Sequence, residues 1–261
     1  MAHAATATPR ENPPAVNEIT LDHPWEWLAK GWRDLSREPK FSLGYGAVFV
    51  LISYLLTFGL VYEELFFIIP PLMAGFFLVA PMLGIGLYQI SDTLERGEKV
   101  EFCNALNAWK RNDVQFSAMA IVLVMVMLAW MLAAILVFAL FYDDPVPTWE
   151  NFIPVVFLSG ESPVFLFTGI AVGGLIATFT FMISAITVPM LMDREVDVLT
   201  AIQTSMQAVR TNWQAMALWA SLIVMFVGIG LVTFYVGLIV AMPLVGHATW
   251  HAYRDLVPSD R

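Results

Sequence analysis

The chain of 261 residues holds a single cysteine, Cys103, and only four histidines. One thiol permits no internal disulfide and no cysteine-rich zinc site, so a disulfide scaffold is excluded. Charge is scarce as well: Asp, Glu, Lys and Arg make up 13% of the residues, about half the usual share. The balance is acidic, 13 bases against 22 acids for a net −9, which excludes nucleic acid as a partner. What fills the chain instead is apolar. Hydrophobic residues reach 59% and mean hydropathy is +0.71, against roughly 45–50% apolar residues in soluble domains. A soluble domain of this length already buries roughly three-quarters of its surface. The surplus fits an outer surface that faces lipid, and it excludes an ordinary soluble enzyme.

About 20 apolar residues carry a helix across the hydrocarbon layer. Four stretches qualify: Phe41 to Val61, Leu65 to Ile90, Val114 to Leu140 and Val164 to Leu191. A fifth region, Ala215 to Trp250, has no charged residue. At ~1.5 Å per residue it is too long for one crossing and just enough for two short ones. Gly228 and Gly230 mark the expected turn, with spans of about 215–230 and 233–250. The expected fold is therefore all-α, a polytopic membrane bundle of six transmembrane helices within a single domain, 21–257. Five spans with one very long helix is the alternative count.

The bases set the orientation. Arg10, Lys30, Arg33, Arg37 and Lys40 precede the first span; Arg96, Lys99, Lys110 and Arg111 lie between the second and third. Arg194 and Arg210 lie between the fourth and fifth, and Arg254 and Arg261 follow the sixth. The other side has Glu63, Glu64, Asp143, Asp144, Glu150 and Glu161 and no base. Both termini are expected on the cytoplasmic side. Residues 1–20, rich in Ala, Thr and Pro toward their start, read as a disordered tail with no cleavable signal.

A short amphipathic stretch precedes each odd span, its apolar residues three and four apart. The sets are Trp25, Leu28, Trp32 and Leu35; Phe102, Leu106 and Trp109; and Leu199, Ile202, Met206, Val209 and Trp213. Each even span carries a proline near its cytoplasmic end, Pro81, Pro189 and Pro243, where a kink is expected. Three hairpin-like repeats with cytoplasmic amphipathic helices account for this. Common end-of-helix preferences for Trp, Arg and Pro account for it too.

Three strings carry a resemblance. They are Trp27-Leu28-Ala29-Lys30-Gly31-Trp32-Arg33-Asp34-Leu35 with Pro39, Ser42-Leu43 and Tyr45-Gly46; Pro189 to Asp197 with Ala201, Ser205 and Asn212; and Pro243 to Leu256. With them the chain resembles the bacterial predicted integral membrane proteins of domain of unknown function 2189. The resemblance implies a six-helix inner-membrane protein and no established activity. Some members have carried a cytochrome oxidase label.

Several residues could carry chemistry. His247 and His251 share a helix face one turn apart, a spacing that suits a metal or haem site. Asp193, Glu195, Asp197 and His23 are the further ligands available on that side. The competing reading is an interfacial belt, with Trp250 and Tyr253 at headgroup depth and Arg254 snorkelling. An oxidase catalytic subunit is excluded because no histidine falls in the hydrocarbon core. Thr168, Thr178, Thr180, Ser184, Thr187, Thr233 and Tyr235 could line a path for a neutral solute, or bond within their own helices. Gly169, Gly173 and Gly174 allow close helix packing, inside the bundle or in a homo-oligomer. Trp25, Trp32, Trp109, Trp213 and Trp250 are expected as interface anchors. Cys103 has no assigned role. The proline-bearing outer loop from Phe141 to Pro163 is expected to dip into the interface or cover the bundle with its apolar Phe152 to Leu158, the alternative being an acidic docking surface for a basic periplasmic partner.

Three functions follow from these residues. The first is a non-catalytic scaffold or accessory factor of a membrane complex, with the lipid bilayer and other membrane proteins as partners and no cofactor. The second is a permease for a neutral small solute. The third is a haem- or metal-handling protein, accessory to a respiratory oxidase, built on His247 and His251.

Overall fold

The computed structural model describes residues 14–101, 107–142 and 163–258. Phe102, Cys103 and Leu106, and the outer loop from Asp143 to Ser162, lie outside the described residues. Every regular element among the described residues is helical: α1 His23–Arg37, α2 Pro39–Tyr62, α3 Ile69–Leu83, α4 Ile85–Glu95, α5 Asp113–Phe141, α6 Pro163–Ser184, α7 Thr187–Asp193, α8 Val198–Thr211, α9 Trp213–Val232 and α10 Leu238–Leu256. Short 3-10 turns cover Phe66–Ile68 and Ala108–Asn112.

Five of these stretches are long and apolar enough to cross a membrane: Pro39–Tyr62, Phe66–Glu95, Asp113–Phe141, Pro163–Asp193 and Trp213–Val232. The sequence led to six. The difference is α10, whose second half carries His247, His251, Arg254 and Asp255. The turn before it also differs from expectation. It occupies residues 233–237, with Phe234 and Tyr235 at positive φ of 52° and 67°. Gly228 and Gly230 stay inside α9. Gly230 serves a close approach instead, because a Cβ there would meet Leu238 Cδ2 at 2.6 Å.

Each expected kink has its own local chemistry. Between α3 and α4 the chain breaks at Gly84, three residues after Pro81. Two tyrosines take up carbonyls at the break: Tyr88 donates to Pro81 O (3.1 Å) and Tyr45 to Leu83 O (2.8 Å). In an apolar layer such groups need a protein partner. The break between α6 and α7 falls at Ala185 and Ile186, before Pro189. There Thr187 donates to Ala201 O of α8 (3.3 Å) and Ser205 accepts from Ile186 N (3.4 Å).

Pro243 leaves α10 continuous, but it cannot donate to the Ile239 carbonyl. Gly46 of α2 lies against that carbonyl so closely that an added Cβ would run into it. Gly46→Ala should therefore part α2 from α10 and cost on the order of 1–3 kcal/mol. Gly44→Ala, with open space at its Cβ, should be neutral or slightly stabilising. Thermal unfolding of both variants in one detergent compares them directly.

α10 is the centre of the bundle. It packs on α1, α2, α4 and α9, and it is buried from Leu238 to Leu256 along most of its length. α1 crosses it at Gly31, where a Cβ would lie 2.8 Å from both Ala248 N and Leu244 O. The remaining surface elements also reach other hairpins: the 108–112 turn touches α4 besides α5 and α7 of its own hairpin, and α8 rests on α6 and α7. Single residues join the surface elements to spans at Glu38 (φ −124°, ψ 59°), Asn112 (−144°, 53°) and Asn212 (−112°, 37°). Within the stretch expected as a tail, two residues are tied to the bundle. Asn17 N donates to Leu256 O (2.9 Å), and Ile19 N to Asn212 Oδ1 (2.8 Å).

Candidate functional site

Where α1, α2, α4 and α10 meet, five polar side chains form one hydrogen-bonded chain. Asp34, Ser42, Ser91 and His247 are buried, at 4% exposure or less. Ser91 donates to Asp34 Oδ2 (2.8 Å), which leaves its oxygen to accept from His247 Nδ1 (2.8 Å). The other ring nitrogen, Nε2, then accepts from Ser42 (2.9 Å). From the far side His251 Nε2 donates to the same Asp34 oxygen (2.8 Å). All these donors run toward one carboxylate. Burial pushes the Asp34 pKa up. The hydrogen bond and charge of His251 and the Ser91 hydroxyl outweigh that and hold it below the ordinary carboxylate value.

This geometry bears on the histidine pair. His247 has both ring nitrogens engaged by serines and is fully buried, so it offers no lone pair to a metal without rearrangement. The further ligands do not converge on it. Asp193 accepts from Tyr253 (2.8 Å), and His23 Nδ1 faces Thr20 N and Oγ1 (3.1 and 3.0 Å). Asp197 caps α8 by accepting from Leu199 N and Thr200 N. The Thr200 hydroxyl is the main cause of its lowered pKa. Glu195 lies in the segment between α7 and α8. Among the described residues, no group of three or more His, Cys, Asp or Glu could hold a metal ion.

A second polar layer ties the end of α10 to its neighbours. Trp250 donates to Glu95 Oε2 (3.0 Å) and is 0% exposed. It is therefore a correction to the interface anchors: a buried brace, because its face of α10 turns toward α4. Arg254 binds Glu95 (3.1 Å) and lies 3.5 Å from Asp193. Arg194 donates to Tyr253 (3.0 Å) and to Pro258 O. Trp27 donates to Asp255 Oδ2 (2.8 Å), and Lys30 pairs with the same carboxylate (3.1 Å). Trp25, Trp32, Trp109 and Trp213 are exposed.

Most of the hydroxyls that could line a solute path are turned inward on their own helices. Thr178, Thr180, Ser184 and Thr187 donate to the carbonyls of Gly174, Ile176, Thr180 and Ile183. Thr233 bonds Ile229 O, and Tyr235 bonds Thr57 of α2 at 2.7 Å. Gly173 lies against Trp130 of α5, Gly169 has Val137 at 3.9 Å from an added Cβ, and Gly174 faces open space. Two cavities lie elsewhere. One of about 300 Å³ is bounded by Tyr45, Ile85, Trp109 and Phe116; one of about 520 Å³ lies between α1, α9 and α10. No member of the Ser42–His247–Ser91–Asp34–His251 chain lines either.

The sequence singled out the two histidines but not Asp34, Ser42 or Ser91. The signal available was small: Asp34 and Ser42 stand inside or beside the first string, and Ser91 follows the Pro81 kink. The strings meet in space, since Trp27, Lys30, Gly31 and Asp34 of the first and Asp193 and Arg194 of the second all touch the third, on α10. Residues 68–193 match the model of a family described as predicted integral membrane protein, DUF2189. Only the head of the second string falls inside that match. No curated protein and no solved structure matches the chain.

Proposed function

We propose that this chain, whose residues 68–193 match the model of a family described as predicted integral membrane protein, DUF2189, is a scaffold or accessory factor within a larger membrane complex. One observation carries this reading: polar side chains are bonded inside the bundle while the outward faces are apolar. Leu55 and Phe58 on α2, Leu128 and Leu132 on α5, and Phe167, Ile170 and Leu175 on α6 are all more than half exposed. Such faces suit lipid and partner helices.

The placement that goes with this role is a bacterial inner membrane with both termini cytoplasmic. The thirteen bases support it, since a pair of α9 and α10 that returns to the side it started from leaves all of them on one side of the spans. A three-unit build is supported by the similar joints at Glu38, Asn112 and Asn212 and by the way each surface element leans on another unit's hairpin.

Purification from native membranes in mild detergent, with identification of what co-purifies, tests the role. A stoichiometric membrane-protein partner is expected, and it should be lost when Leu128, Leu132, Phe167 or Ile170 is replaced by tryptophan. A protein that purifies alone and lets a neutral solute into liposomes would overturn it.

A further inference from the structure

The third hairpin is shorter than the first two. The apolar part of α10 runs only from Leu238 to Gly246, about 13 Å at 1.5 Å per residue, against ~30 Å of hydrocarbon. From His247 onward the helix belongs to the polar layers that bind Asp34, Glu95, Asp193 and Lys30. α9 begins at that level too, because Trp219 stacks edge-on to Trp27 (5.5 Å), whose indole nitrogen is bonded to Asp255. At the other end Gly46 meets Ile239, and Tyr54 and Thr57 reach the turn at Phe234 O and Tyr235 Oη (2.7 Å each). α2 continues past that level to Tyr62. The turn sits beside Tyr54 and Thr57, in the second half of α2 and short of its end at Tyr62.

That turn is also built for an apolar layer. It has no charge, and Val232, Phe234 and Val236 are exposed. Its backbone is paired internally: Val236 N to Thr233 O (3.2 Å), Gly237 N to Thr233 Oγ1 (3.1 Å) and Leu238 N to Tyr235 O (2.9 Å). Irregular backbone is tolerated at membrane depth only when its groups are satisfied by protein.

Beside the hairpin runs the cavity of about 520 Å³. Leu28, Ala29 and Trp32 of the surface helix bound one end, and Gly237 by the turn bounds the other, with Val240 and Ala241 between. The only polar side-chain group on its wall is the Trp32 indole. At the mouth stand bases. Arg33 follows Trp32 and lies one turn from Ala29, Arg37 is one turn further, and both are exposed, so they share the outward face of α1. Basic residues at the membrane surface attract anionic headgroups at ~1 kcal/mol each.

We propose that α9 and α10 form a re-entrant hairpin that turns back short of the far side of the bilayer, and that the groove along it seats one acyl chain of an anionic phospholipid, whose phosphate is held by Arg33 and Arg37. The site uses the placement of α1 at the membrane surface and is independent of any protein partner, so purified protein tests it separately from the scaffold role.

The probe is phosphatidylglycerol with a photoreactive diazirine at either end of one chain, in nanodiscs of phosphatidylcholine that hold the full protein. The probe near the glycerol should label Leu28 to Trp32, and the terminal probe Ile229 and Gly237 to Val240. Labelling should exceed that by the same probes on phosphatidylcholine about tenfold. Arg33→Gln with Arg37→Gln, both at exposed positions, should bring it down to the phosphatidylcholine level with unchanged thermal unfolding. Equal labelling by the two lipids, or labelling spread evenly over α5 and α6, would reduce the groove to ordinary lipid contact and overturn the proposal. Cross-links between two copies of the chain through the groove would overturn it as well.

Discussion

Asp34→Ala should be among the most destabilising single substitutions in this protein, with a loss on the order of 3–5 kcal/mol. The reason lies in who depends on that carboxylate. Ser91 and His251 both donate to Asp34 Oδ2, and His247 is oriented through Ser91. Removing the acceptor strands the buried Ser91 hydroxyl, the part-buried His251 and a histidine beside them, and a buried donor without a partner keeps its full desolvation cost. Asp34→Asn keeps an acceptor oxygen and loses the charge, so a smaller loss is expected. The pH dependence has a definite sign. The folded pKa of Asp34 lies below the ordinary value, with bonding to His251 and Ser91 outweighing burial. Its contribution is therefore complete above the unfolded carboxylate pKa of about 4 and is lost as pH falls through the lower, folded one. Thermal unfolding in detergent, for wild type and Asp34→Asn between neutral pH and pH 3, should show the gap between them narrowing in acid. A constant gap would mean that the charge on Asp34 does not hold these helices.

The apolar runs were legible because lipid imposes a plain requirement: about 20 residues without charge. That rule found α2 and α5 nearly to the residue, and it ran α6 and α7 together as one span. It overcounted at α10 because a helix buried by protein can be apolar for only half its length. The run to Trp250 is free of Asp, Glu, Lys and Arg, yet His247 already belongs to the polar layer. The five-member chain was hidden for a different reason. Asp34 sits four residues before the Glu38 joint, Ser91 beyond the Gly84 break and His247 far along in sequence, so only the crossing of α1, α4 and α10 brings them together. Trp27 and Trp32 show the same limit within one helix. Spacing alone placed Trp25, Leu28, Trp32 and Leu35 on a common face, whereas the face that packs is Trp27, Leu28, Gly31, Asp34 and Leu35. The close approach at Gly31 selects it, because only the glycine side of α1 can reach Ala248.

That packing face sets the second large effect, at Trp27. Its side chain is 0% exposed, meets Trp219 of α9 edge-on and donates to Asp255 of α10. Trp27→Ala should cost about 3–5 kcal/mol for the lost ring and the void it leaves. It should also release Asp255, which would keep only the Lys30 ion pair at 3.1 Å. Trp27→Phe separates the two contributions. The phenyl ring retains much of the contact with Trp219, while the missing indole N–H leaves the carboxylate one donor short, a loss of about 1–3 kcal/mol for a hydrogen bond to a charged group. Amide hydrogen exchange gives the readout, since α1, α9 and α10 meet at this ring. With alanine, protection should fall together at the start of α9, in α1 and in the last turns of α10, and it should hold in α5 and α6, which lie on the other side of the bundle. With phenylalanine the loss should be confined to α1 and the end of α10. If protection fell in α5 and α6 to the same degree, the polar end of the bundle would not be a separate unit joined through Trp27, and the central role assigned to α10 would have to be given up.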